Sequence, residues 1–130
     1  MIVTDASVIL ELLLRTRVAE AIEARVFDAG ESLHAPHLLD VEVAQVLRRY
    51  AARGEISAPR GRLALELLTR FPIARYAHQP LLTRMWALRA NMTAYDAAYV
   101  ALAEALGATL LTRDERLATA PGARARIELA

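Results

Sequence analysis

Four carboxylates carry the chemistry open to this chain: Asp5 in MIVTDASVIL, Glu42 in LLDVEVAQVL, Asp96 in MTAYDAAYVALAEALGA and Asp114 in ATLLTRDERLA. Each stands where an apolar run ends or a helix begins, so a sheet-based fold can bring all four to one spot. Clustered carboxylates repel one another and raise each other's pKa, and a site that keeps several ionised near neutral pH usually holds a cation. Oxygen-only ligands select hard ions such as Mg²⁺ or Mn²⁺. That combination suggests metal-assisted cleavage of a phosphodiester.

The apolar pattern predicts the elements that must position these acids. Met1 to Thr4 reads as a buried strand, and Asp5-Ala6-Ser7 offers capping side chains ahead of the helical run VILELLL. A helix over Val18–Phe27 stopping at Gly30, a brief strand over Leu33–Pro36, and a helix from His37 to near Gly54 follow. Pro59 opens a helix holding Leu63, Leu65, Leu67 and Leu68; residues 72–76 can form a strand, and Pro80 starts a helix through Leu88. Thr93 or Ala94 caps a helix through Leu106 that Gly107 ends, Thr109–Thr112 is strand, and Asp114–Leu117 is a short helical turn. Pro121-Gly122 makes a turn before a possible edge strand over Arg126–Leu129. Strands alternating with helices imply parallel pairing through right-handed crossovers, hence an α/β fold: a three-layer α/β/α sandwich around a short parallel sheet. The 130 residues make one domain, 1–130, with no repeat or linker.

In an open parallel sheet, ligands bind beyond the carboxyl ends of the strands. Asp5 follows the first strand and Asp114 the TLLT strand, so both point to one rim. Asp96 and Glu42 share apolar stripes in the first turns of their helices, and a carboxylate so placed needs a partner. Taken singly, Asp5 and Asp114 read more simply as helix caps and Asp96 as a partner of the helix dipole. Glu42 reads as a solvated residue with Asp40 as the rival ligand; it is the coincidence of four that points to a metal site. Ser7 and Thr112 flank that site, and their hydroxyls could bind a metal water or the phosphate, with capping the plainer reading. His34 and His37 lack an acid at ligand spacing and read as surface or core residues. Met85 and Trp86 read as core or dimer interface, and Tyr95 and Tyr99 as packing, with substrate contact the lesser reading.

Composition narrows the field. No Cys means no thiolate chemistry and no disulfides, and a reducing compartment is the expectation, hence the cytoplasm. No apolar run approaches the roughly 18 residues of a membrane span, and no basic n-region opens the chain, so neither anchoring nor export is expected. The net charge of +1 conceals nine Arg against two Glu between Arg48 and Arg89, either a footprint for a polyanion or the solvated faces of ordinary helices. There is no Lys at all, so chemistry that requires one is excluded.

Taken together, the opening hydrophobic-Thr-Asp-x-Ser strand, the Asp-x-Glu-Val helix, Tyr-Asp-Ala-Ala-Tyr-Val-Ala-Leu-Ala and the closing Leu-Thr-x-Asp-x-x-Leu resemble the PIN-domain nucleases, and among them the compact VapC-type toxins of toxin–antitoxin pairs. The resemblance covers essentially the whole chain. It implies that Asp5, Glu42, Asp96 and Asp114 are the family's four acids, with Asp5 and Asp96 the principal Mg²⁺ ligands and Mn²⁺ an alternative, and that Thr112 matches a hydroxyl often seen before the last acid. The implied activity is a metal-dependent endoribonuclease that arrests translation by cutting RNA. The implied partners are an RNA substrate, a VapB-like antitoxin covering the groove, and a second copy of the chain in a homodimer. Operator DNA would be reached only through the antitoxin. A phosphoacceptor domain would need a Lys, a dehalogenase-like phosphatase an Asp where Ser7 stands, and a dinucleotide-binding domain a Gly-rich turn where Asp5-Ala6-Ser7 stands. The surviving rival is a catalytically weak PIN-like module that binds RNA or protein.

Overall fold

The computed structural model describes residues 1–130. Five short strands form one parallel sheet: β1 (Ile2–Thr4), β2 (Leu33–Pro36), β3 (Ile73–Tyr76), β4 (Thr109–Thr112) and β5 (Ile127–Leu129), in the order β3-β2-β1-β4-β5. All three residues of β1 are buried, as a central strand covered on both faces requires. From β1 the chain builds outward through β2 and β3, then returns to lay β4 and β5 on the other side. The gap between β1 and β4 is therefore where the winding direction reverses, and a crevice opens there at the strands' carboxyl ends.

Seven helices cover the sheet: α1 (Ala6–Leu13), α2 (Ala19–Val26), α3 (Leu38–Ala52), α4 (Ala58–Arg70), α5 (Leu82–Ala87), α6 (Ala94–Leu106) and α7 (Glu115–Ala118). α1 packs on α2, α3 and α4, while α6 packs on α5 and lies across β1, β2 and β4, giving the three layers. α3 inserts Leu39, Val43 and Leu47 into the core at a spacing of four, and α6 buries every residue from Ala97 to Ala103. Local chemistry sets the ends: Asp5 caps α1, Ser57 caps α4 with Pro59 in its first turn, and Thr93 caps α6. Gly107 ends α6 at φ 62°, a left-handed geometry costly for other residues. No helix is long and apolar enough to cross a membrane.

The expected elements are present, with three differences. α2 ends at Val26 with Phe27 as its cap, so Gly30 is not the cap expected of it but turns the chain toward β2 at φ 88°. The helix expected from Pro80 is split into a 3₁₀ turn, Gln79–Leu81, and α5, Leu82–Ala87. On α4 the buried positions are Gly61, Ala64 and Leu68, and the apolar surplus of Leu63, Leu65 and Leu67 lies exposed. Trp86 is no core residue either: it is 69% exposed, with the Arg89 guanidinium 4.6 Å from its ring centre.

Candidate active site

The crevice at the reversal point is assembled around Asp5, the first residue beyond β1. As the cap of α1, Asp5 accepts from the Ser7 N–H at 3.0 Å, the Val8 N–H at 3.3 Å and the Ser7 hydroxyl at 2.5 Å, all through Oδ1. Its Oδ2 accepts from the Thr112 hydroxyl at 2.5 Å, across from the end of β4. Thr112 in turn accepts from the Asp114 N–H at 3.0 Å, and the Ser7 hydroxyl accepts from the Arg113 N–H at 2.9 Å. Ser7 and Thr112 thus weld the β4–α7 turn to β1 and α1. Their hydroxyl protons are committed to Asp5, so they position the acid and are not open to a water or phosphate as donors.

Glu42 enters from the second turn of α3 and Asp96 from the first turn of α6. Both line one cleft of about 340 Å³ together with Asp5, Asp114, Arg49 and Arg113. The Glu42 Oε1 accepts from the Tyr99 hydroxyl at 2.7 Å, and the Tyr99 ring is 1% exposed. The Thr93 hydroxyl draws on the Asp96 carboxylate and also accepts the Asp96 backbone N–H at 3.2 Å. Asp114 caps α7, accepting from the Arg116 N–H at 2.9 Å. All four expected acids therefore border one cleft. Tyr99 is a participant that reading it as packing missed; its spacing three residues after Asp96, on the same face of α6, was the available signal.

Three of the acids carry the electrostatic mark of a crowded, partly dry site. Burial pushes the Asp5 carboxyl above its ordinary range, with its hydrogen bonds pulling the other way. Glu42 is raised by burial and by the charges of Asp5 and Asp96, against the Tyr99 hydrogen bond; Asp96 is raised by burial and by Asp114. No Arg forms an ion pair with Asp5, Glu42 or Asp96; Arg116 lies 3.8 Å from Asp114 through its Nε, and its charge also pulls on Asp96. The four acids border the cleft without three of them coming close enough together to hold a metal ion as they stand. Uncompensated carboxylates offering oxygen donors suit a hard divalent cation such as Mg²⁺ or Mn²⁺.

The other candidates fall elsewhere. Asp40 faces away and takes the Arg75 guanidinium, Nε to Oδ2 at 2.8 Å and Nη2 to Oδ1 at 3.0 Å. His34 is buried between the Ser32 hydroxyl at 2.7 Å and the Tyr76 hydroxyl at 2.8 Å, and burial pulls its pKa down. His37 borders a separate apolar groove between α3 and α5. Tyr95 is 60% exposed beside that groove, so it is not core packing. The Arg-rich segment divides: Arg60 donates to the Leu13 carbonyl, Arg75 to Asp40, and Arg84 to Glu104 and the Gly122 carbonyl. Arg49 alone of the nine lines the acidic cleft.

The PIN domain family profile matches residues 2–123. The chain belongs to the PIN-domain family. Within it, this PIN domain is similar to two ribonucleases of Mycobacterium tuberculosis (strain ATCC 25618 / H37Rv). It is 49% identical to Ribonuclease VapC9 over 117 residues, 90% of this chain and 88% of the relative. It is 45% identical to Ribonuclease VapC1 over 128 residues, 98% and 96% of the two chains. The fold also matches a solved structure of VapBC2 from Rickettsia felis bound to a DNA fragment from its promoter, with a TM-score of 0.73, 11% identity, and coverage of 99% of this chain and 98% of that one. The family places the chain among VapC-type PIN domains, and the parallel five-stranded sheet between helical layers is theirs.

Proposed function

We propose that this PIN domain is a Mg²⁺- or Mn²⁺-dependent endoribonuclease and the toxin of a toxin–antitoxin pair, arresting translation by cutting RNA. The observation that carries the reading is the convergence of Asp5, Glu42 and Asp96, none with a cationic partner, on one cleft at the reversal point of the sheet. Ribonuclease is the printed activity of relatives that match nearly the whole chain. Asp5 and Asp96 would be the principal ligands of the ion, with Glu42 and Asp114 completing the acidic rim. A bound Mg²⁺ or Mn²⁺ lowers the pKa of a water and neutralises charge on the phosphate. Asp5 contributes rigidity, since four donors fix its carboxylate before any ligand arrives. Arg49, on the same cleft, would contact an RNA phosphate and hold the strand without reading its sequence, whereas the Arg113 guanidinium is held by Glu11 and the Ala130 carbonyl.

The assembly follows from the surface. Val41, Leu82 and Tyr95, each more than half exposed, border an apolar groove of about 420 Å³ between α3 and α5. A face of this kind marks an interface, and a homodimer is the occupant we propose. An antitoxin would silence the site by presenting an Arg to the unpaired carboxylates, a charge-assisted contact they otherwise lack. The protein would act in the cytoplasm. The test is cleavage of a fluorophore-quencher RNA by the purified protein: EDTA should abolish it, and Mg²⁺ or Mn²⁺ should restore it. RNA binding with no cleavage in either metal refutes the enzyme and leaves a binding module.

A further inference from the structure

We propose that Tyr99 is a positioning residue of the acidic cleft: its hydroxyl fixes one oxygen of Glu42, leaves the other to the cleft, and so sets how tightly the acids hold a divalent ion. The inference rests on the reading of the cleft as a metal site and adds a residue to it. Tyr99 is the largest fully buried side chain in the protein, with its ring in the core and its hydroxyl reaching the cleft that Glu42 lines. That hydroxyl makes one hydrogen bond, to the Glu42 Oε1 at 2.7 Å, and no other donor holds the Glu42 carboxylate. The contact spans 57 residues and joins α6 to α3.

Glu42 is the longest of the four acids, and no backbone N–H holds its carboxylate as backbone N–H groups hold those of Asp5 and Asp114. Three side-chain rotations must be frozen before it can serve a cation, and the phenol freezes them in advance. Asp96 lies one turn before Tyr99, so a single stretch of α6 delivers one acid directly and tethers another. A neutral phenol suits this task better than an Arg, because it orders the carboxylate without cancelling the charge a metal needs. The competing explanation is that Tyr99 only satisfies its own buried hydroxyl. That role would affect stability and leave metal affinity alone.

Mn²⁺ titration by calorimetry without RNA separates these, using the wild type, Tyr99→Phe, Glu42→Gln and the double variant, each checked for folding by its unfolding midpoint. Outer partners of metal ligands typically contribute roughly 10- to 100-fold to affinity, so Y99F should weaken Mn²⁺ binding about tenfold. The double variant should bind no more weakly than E42Q alone, because Tyr99 acts through Glu42. Wild-type affinity in Y99F alongside weakened E42Q overturns the proposal, as does full additivity in the double variant. Absence of Mn²⁺ binding to the wild type is a different failure, sinking the metal site and this proposal with it. Should Y99F not fold, Glu42→Asp withdraws the carboxylate from the hydroxyl without touching the core; unchanged Mn²⁺ affinity there overturns the proposal.

Discussion

Replacing Thr112 with Val deletes one buried hydroxyl and little volume, and the structure says what is lost. The hydroxyl donates to Asp5 at 2.5 Å and accepts the Asp114 N–H at 3.0 Å, and Thr112 is 0% exposed. A hydrogen bond to a charged group is worth about 1.5–3 kcal/mol and a neutral one about 0.5–1.5 kcal/mol, so T112V should cost about 2–4 kcal/mol. At about 3–5 °C per kcal/mol for a domain of this size, the Tm should fall by roughly 10 °C. The loss should depend on pH with a definite sign. Burial already holds Asp5 above its ordinary range, and losing a donor moves it further up. The deficit should therefore be largest where Asp5 is ionised, near pH 8, and shrink as falling pH protonates it. Thermal denaturation of T112V and T112S, metal-free, at several pH values measures this. T112S keeps the hydroxyl and should lose far less. A T112V protein within about 0.5 kcal/mol of wild type at pH 8 would refute the claim that this hydroxyl holds the site together, since surface substitutions move stability by that much.

Three more outcomes are expected. Without divalent ions, the raised carboxyls of Asp5, Glu42 and Asp96 bind more protons in the folded than in the unfolded chain, so stability should rise as pH falls from 8 toward the unfolded carboxyl range near about 4, and Mg²⁺ should reduce that dependence. Because burial lowers His34 and so removes stability as pH falls through its range, the measure is wild type against D96N, and an identical pH dependence in the two would contradict this. Arg49→Ala should lower the salt slope of RNA binding by about 0.7, the value for one phosphate contact on a single strand, whereas Arg75→Ala, whose guanidinium is spent on Asp40, should leave the slope unchanged. Leu82→Arg should convert a dimer to monomer in sedimentation at micromolar concentration, and a wild type that is already monomeric removes the dimer.

Most of the site was legible because its acids sit at punctuation. Asp5 and Asp114 follow strand patterns and begin helices, and the parallel topology dictates that both reach one rim. The contacts that organise those acids were not legible, because they join distant segments. The Tyr99–Glu42 bond spans 57 residues and the Arg75–Asp40 pair 35. A Tyr inside the apolar run of α6 reads as packing until the carboxylate at the end of its ring is seen. Which Arg are spent inside the fold was equally hidden, since Arg60, Arg75 and Arg84 find their partners far along the chain.

The central claim is that these carboxylates hold the ion that cuts RNA, and isosteric neutralisation tests it most directly. Asp96→Asn keeps shape, removes one charge from an acid in no ion pair and retains an oxygen that can accept from Thr93, so the fold should be kept. The decisive measurement is the single-turnover cleavage rate of one labelled RNA by wild type and D96N in saturating Mg²⁺, with RNA affinity measured on the same samples. Cleavage lost by at least about 100-fold with affinity preserved is the predicted result, in line with removing a group that stabilises charge in the transition state. Wild-type cleavage by D96N would contradict the account.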